Sequence, residues 1–446
     1  MKTVFITSFH SYISRNVLTN SFLETLRASG HELVLVVPAY KVDFFKAQFV
    51  ASPLIVEGVQ TGQVSRTRRG LFFKRFAELS YVSETTWVKL RYKYHHERKV
   101  GYAALACLIG VAGSFFFVRR LMRYLDERFA PRSFLNDLFD RYNPDLVFST
   151  DVYNENDVAV LQTARARGIN TIAMVRSWDN PSKYLLRVFP QKLIVSSETL
   201  KDEVETFHHY PRERMAINGI PHYDRYGAGP TMTREDLCKH FGLSAERKVI
   251  FFSPVGDDLI YRNDVDQHVL DTLASLGEQV IVRFPPASAV AIDLNRTYPP
   301  HVAFDVPGVS FSRTNFSDRE ITARSDEMLL NILAHADVVV TGPTSIPLDA
   351  AFFDKPVIVT DFYPTMRHPL DGIYEYAYFH FQKLLRETGG VWHVRSLEEF
   401  TEALHAYLED PARDASKRKK IRDLWFSHST GEAGRQLGEI ILRTVS

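Results

Sequence analysis

Two groups of residues in this 446-residue chain carry side chains suited to chemistry. The first is His10, Asp151, Glu155, Arg176, Asp179 and Lys183. Each follows a short apolar run: 3–8 before His10, 144–150 before Asp151 and Glu155, and 171–175 before the last three. Carboxylates and an imidazole can move protons, and the cations can hold anions. Loops at the carboxyl ends of parallel strands are where open α/β sheets place their sites, so these three loops are expected on one rim. A structural reading stands beside this one, because polar strand ends are common and His10 reads equally as a hydrogen-bonded loop histidine.

The second group lies in AHADVVVTGPTSIPLDAAFFDKPVIVTD, residues 334–361. The apolar run 338–340 predicts a buried parallel strand. Gly342 and Pro343 end it, Thr344 and Ser345 can cap a helix from about Ile346, and a second strand follows Lys355-Pro356. A helix start with small hydroxyl residues at the carboxyl end of a strand is a ready anion site. Asp349, one turn on, could reach a sugar hydroxyl beside a bound phosphate. Ser253 and Arg283 follow two further predicted strands, 248–254 and 279–283, and join this edge. Arg283 suits a diphosphate, since a guanidinium can pair two phosphate oxygens, or equally a structural ion pair. An ordinary helix–strand crossover with no ligand is the alternative for the whole stretch.

The elements that position these residues alternate strand and helix, with predicted helices at 14–28, 198–209, 264–276 and 326–335. The length predicts two domains: 1–226 and 234–425, with a linker near 227–233 and a closing helix, 426–446, packing back on the first. Hydrophobic content of 45% and charged content of 24% suit a globular protein with large cores. A net charge of +1 argues against binding nucleic acid by bulk charge. Cys107 and Cys238 have no metal-ligand spacing, which fits a reducing cytoplasm without disulfides or zinc. Asp257-Asp258 lacks supporting ligands, so no metal site is expected. The missing GxGxxG argues against tightly held NAD or FAD.

The alternation breaks at about 61–131. Residues 66–99 hold ten Lys/Arg against three acids, interleaved with aromatics, and 101–118 carries no charge. Eighteen residues are short for a membrane span, and a span would place the flanking basic clusters on opposite sides. An insert lying in the headgroup region, with 66–123 on an anionic surface, fits better. The alternatives are a buried helical hairpin and a true span.

The order of residues in 334–361 resembles the nucleotide half of GT-B glycosyltransferases, with Asp349 where those enzymes usually carry Glu and Pro356 seven residues on. QVIVRFPP, 279–286, resembles the strand with Arg-x-His-Pro of CDP-glycerol glycerophosphotransferase-like enzymes of bacterial surface polymers, with Pro285 in place of the His. Gly431, Ala433 and Arg435 resemble their closing helix. The resemblance covers about 143–225 and 245–442. It implies an α/β chain of GT-B type, two doubly wound Rossmann-like domains facing across a cleft. It also implies a nucleotide-diphosphate sugar held by Ser253, Arg283, Pro343, Thr344 and Ser345, with Asp349 on the ribose. The acceptor, lipid-linked or a surface glycan at the cytoplasmic membrane face, would lie against Arg176, Asp179 and Lys183. An inverting transfer needs a base, for which the candidates are Asp151, then His10, then Glu155; a retaining one does not. Backbone amides, a helix dipole and a cation would serve the leaving diphosphate without a metal. Polyol-phosphate transfer, 2-epimerisation of a nucleotide sugar and a non-catalytic membrane scaffold are the alternatives.

Overall fold

The computed structural model describes residues 1–49, 54–81, 83–98, 100–256, 263–286, 288–312, 318–365, 368–371, 379–429 and 431–445. Asp257 and Asp258 lie outside them. The chain forms two compact units, Met1–Arg225 with His428–Ser446, and Tyr226–Ser427.

The first unit is built on seven strands: β1 Thr3–Thr7, β2 Glu32–Pro38, β3 Leu54–Val59, β4 Leu146–Ser149, β5 Asn170–Met174, β6 Lys192–Val195 and β7 Met215–Ile217. All pair in parallel in the order β3-β2-β1-β4-β5-β6-β7. Apolar runs such as VFIT and LVFS are buried along both faces, as a helix-covered parallel sheet requires. The order reverses between β1 and β4, so the loops after these strands diverge and leave a crevice at their carboxyl ends. The terminal helix, Ala433–Val445, buries Leu437, Ile441 and Val445 in the same core as β1, β2 and β4.

Residues 68–129 form four helices, Arg68–Leu79, Glu84–Glu97, Val100–Ser114 and Phe116–Phe129. Ser83 and Thr86 close a capping box on the second, and the Ser83 hydroxyl also donates to the Ser182 carbonyl at 2.6 Å. The third helix crosses the end of the first at Gly113, where a Cβ would come within 2.0 Å of the Ser80 carbonyl oxygen. The uncharged stretch 101–118 is not one segment, because the last two helices meet at Phe115 with a bend of 104°. No single helix among the described residues is long and apolar enough to cross a membrane.

The second unit carries β8 Val249–Ser253, β9 Gln279–Arg283, β10 Val302–Asp305, a small antiparallel pair β11 Val309–Ser310 and β12 Arg319–Glu320, then β13 Val338–Thr341, β14 Val357–Thr360 and β15 Trp392–Val394. Its six-stranded parallel sheet runs β10-β9-β8-β13-β14-β15 and reverses order between β8 and β13. Gly342 lies where the loops after these two strands meet, and a Cβ there would strike the Val255 side chain at 2.0 Å. Buried Asp266 shapes the β8 loop by accepting from the Val255 and Gly256 amides at 2.9 and 3.0 Å.

Candidate functional site

In the first unit, the switch point holds a cavity of about 490 Å³ whose lining includes His10, Asp151, Glu155 and Arg176. Hydrogen bonds set this geometry. The Thr150 amide donates to Thr7 Oγ1 at 3.0 Å and the Thr150 hydroxyl to the Thr7 carbonyl at 2.8 Å, which pins the ends of β1 and β4 together. Beneath them, Thr7 and Ser149 both donate to Asp157 Oδ1. Burial, with the Asp151 charge adding to it, pushes the Asp157 carboxyl up to about 8.

His10 Nδ1 accepts from the Tyr12 amide at 3.2 Å, and the two rings stack 5.2 Å apart. Burial, then the charges of Arg176 and Lys41, hold this imidazole well below its ordinary value, so it is neutral at pH 7. A neutral ring that accepts at Nδ1 carries its proton on Nε2 and offers a donor there. His10 is therefore arranged to donate a hydrogen bond.

Asp151 is nearly buried. Its Oδ2 accepts from Arg176 Nε at 2.7 Å and its Oδ1 from the Tyr153 amide at 3.1 Å. Glu155 accepts the Ser65 hydroxyl on both oxygens and Lys74 Nζ at 3.1 Å, so this carboxylate ties the first insert helix to the sheet. Asp179 and Lys183 form an ion pair with each other. Burial, the largest single effect, would raise the Asp179 carboxyl, but the Lys183 and Arg176 cations together with hydrogen bonds from Lys183 and Ser177 outweigh it and hold the group below its usual range. Several cavity residues were not apparent from the sequence, among them Lys74 and Glu78 from the insert and Tyr184 and Arg187 from a loop, where no strand end marks them.

In the second unit, the loops after β8 and β13 flank the switch point. Thr341 and Thr344 hydroxyls lie 3.0 Å apart, and the Ile346 amide donates to Thr344 Oγ1 at 3.3 Å. Ser345 occupies the cap position of helix Ile346–Phe352 without a side-chain bond to it, and its side chain is exposed. Pro343 and Asp349 are buried, as is Ser253. Arg283 is committed as an ion pair: its guanidinium binds Asp305 and donates to the Ser325 carbonyl at 2.7 Å. Burying a guanidinium without a partner is costly, and the neighbouring strand β10 supplies the carboxylate. Asp361, just past β14, was not singled out in the sequence. Its carboxylate is 5% exposed, neither oxygen has a hydrogen-bond partner among the described residues, and burial pushes it up to about 7.

Two parallel doubly wound sheets, each with polar loops at its switch point, are the architecture of the GT-B fold. The match of residues 152–443 to the family described as CDP-glycerol:poly(glycerophosphate) glycerophosphotransferase spans most of the chain. The chain belongs to that family and is a transferase. Solved structures share the fold at low identity. The UDP-GlcNAc 2-epimerase from Neisseria meningitidis bound to UDP-GlcNAc is 12% identical, with a TM-score of 0.53, over 99% of this chain and 100% of that one. The glycotransferase of kitacinnamycin is 12% identical, with a TM-score of 0.53, over 100% and 99%. A variant of the wall teichoic acid polymerase TagF is 12% identical, with a TM-score of 0.51, over 100% and 89%. No curated protein matches the sequence.

Proposed function

We propose that the protein moves a polyol phosphate from a cytidine-diphosphate-activated donor to a hydroxyl of a lipid-linked acceptor at the cytoplasmic membrane face. The observation that carries this reading is the family match, which begins at residue 152, just past Asp151, and runs through Glu155, Arg176 and the β13 loop. The donor is assigned to the β8 and β13 loops, through Ser253, Thr344 and Ser345, with Asp349 or Asp361 toward the ribose. The acceptor is assigned to the cavity of the first unit.

In this reading the acceptor oxygen attacks the distal phosphorus of the donor. The bond from that phosphorus to the bridging oxygen breaks, CMP leaves, and the hydroxyl proton passes to Asp151. Arg176 orients Asp151 as base. His10 Nε2–H donates to an acceptor or phosphoryl oxygen, a role for a positioned donor in a dry site. Glu155 acts through Lys74 as a positioning residue, and Arg283 as an internal support for β9. No divalent cation is required, and turnover is expected to survive EDTA.

Glycosyl transfer from a nucleotide-diphosphate sugar is the second reading, favoured by Pro285 standing where the related enzymes carry a histidine. The two differ in the bond broken, so the released nucleotide separates them. Purified full-length protein in native membranes, given CDP-glycerol or UDP-GlcNAc, is expected to release CMP from the first. Release of UDP from the second, with no CMP, would replace the first reading by glycosyl transfer.

A further inference from the structure

The cavity of the first unit has a wall that the transfer step itself does not use, formed by Glu78, Asn180 and Tyr184. Glu78 comes from the insert helix Arg68–Leu79, and the other two from the loop between β5 and β6. The Leu185 amide donates to the Ala77 carbonyl at 3.1 Å, and this backbone bond sets Tyr184 beside Glu78. Asn180 is fixed by its own backbone: its amide donates to the Ser177 carbonyl at 3.2 Å, and its carbonyl accepts from the Lys183 amide at 3.0 Å. Asn180 is 4% exposed, yet its Oδ1 has no partner among the described residues. A buried amide oxygen without a donor is costly, so a ligand that brings a hydroxyl to it is favoured. Tyr184 is exposed, and Lys89 Nζ lies over its ring 4.7 Å from the centre, which leaves the other face to a ligand.

Charge decides what class of ligand fits. Each Lys or Arg lining the cavity is matched by a carboxylate: Lys74 by Glu155 at 3.1 Å, Arg176 by Asp151 at 2.7 Å and Arg187 by Asp126 at 2.8 Å. Lys89 does not line the cavity. Glu78 is half-buried and has no ion pair or hydrogen bond among the described residues. The wall therefore offers hydrogen-bond acceptors and no uncommitted cation. We propose that it is a subsite for an uncharged sugar ring of the acceptor. The C–H face of a pyranose packs on Tyr184, and ring hydroxyls donate to the Glu78 carboxylate and to Asn180 Oδ1. A cavity of about 490 Å³ is within the roughly 300–1,000 Å³ of small-molecule pockets and also contains Asp151, so a sugar held on this wall keeps a hydroxyl near the base. The inference rests on the reading of this cavity as the acceptor site. It departs from the phosphate-bearing polymer in the family's description, because an acceptor phosphate needs a free cation and those of the lining are committed.

The test is saturation-transfer NMR on the full-length protein with the methyl glycosides of glucose, galactose and N-acetylglucosamine, and with glycerol 3-phosphate. At least one methyl glycoside is expected to bind in the millimolar range, with transfer strongest at its ring C–H protons, and glycerol 3-phosphate is not expected to displace it. Tyr184→Ala and Glu78→Ala should each weaken that binding at least about fivefold, and Glu78→Gln, which keeps an acceptor oxygen, should recover part of the loss. Arg75→Ala, at an exposed position of the same helix, should leave it unchanged. Neither Glu78 nor Tyr184 is fully buried, and unchanged thermal melts check the fold. Binding of glycerol 3-phosphate with no binding of a glycoside would overturn the subsite in favour of an anionic acceptor. Glycoside binding indifferent to Tyr184→Ala and Glu78→Ala, or no binding of any probe, would overturn it as well. No donor is present in this experiment, so a wrong donor assignment leaves its result intact, and failure of the subsite leaves the CMP-release assay intact.

Discussion

His10 illustrates how a residue found in the sequence changes role once its hydrogen bonds are known. Its place after the first strand was legible from the apolar run before it. Which nitrogen is protonated was not, because that depends on the Tyr12 amide and on Arg176, which folding brings in from β5. If His10 donates from Nε2, His10→Gln should retain activity within about tenfold, while His10→Ala loses more. A base role would make both variants equally poor. Asp151→Asn, which keeps the shape and removes the base, should lower kcat by about 10²–10⁴-fold, measured under saturating donor. Asp157 supports a pH prediction. The folded carboxyl holds its proton to about pH 8, whereas the free group ionises near its ordinary 3.8. As pH rises from about 4 to 8 the unfolded chain releases a proton that the folded chain keeps, so this group lowers folding stability across that window and levels off above it. Asp157→Asn, with Oδ1 still accepting from Thr7 and Ser149, should flatten the decline in urea melts between pH 5 and 8. An unchanged slope would mean that Asp157 is ionised in the folded protein.

Among the elements, strands at the centre of the sheets were legible because burial on both faces leaves continuous apolar runs. The edge strands β3, β7 and β15 were not, since one neighbour is missing and residues such as Glu57 and His393 interrupt the pattern. The expected helix 14–28 divides into Ser14–Leu18 and Ser21–Arg27, because Asn20 accepts from the Phe22 amide at 3.1 Å and starts a new helix. The insert was legible by composition alone. The direction of its arginines was not, because their partners are carbonyl groups of residues 186, 207 and 208, distant in sequence. The pair Asp126–Arg187 anchors the last insert helix, so Arg187→Leu strands a buried carboxylate. It should cost about 3–5 kcal/mol in chemical denaturation. Asp126→Asn with Arg187→Leu should recover much of that loss.

For the whole molecule, the repeated alternation of strand and helix made the two-sheet α/β class legible, and the resemblance in 279–286 and 334–361 pointed to a transferase of the matched family. The two switch points were not, because strand order is set by which strands pair, and pairing leaves no local mark. In the proposed reading the donor is recognised by the chemistry at the carboxyl edge of the second sheet. The most direct measurement is therefore the thermal shift of full-length protein with CDP, UDP, GDP and dTDP, repeated with Asp349→Ala and Asp361→Asn. A nucleotide at a hundred times its dissociation constant adds about 2.7 kcal/mol to stability. The account predicts a shift with CDP above the others, reduced at least tenfold in apparent affinity by one of the two variants. A shift with UDP and none with CDP would contradict the cytidine donor, and no shift with any of the four would contradict a nucleotide site on this unit.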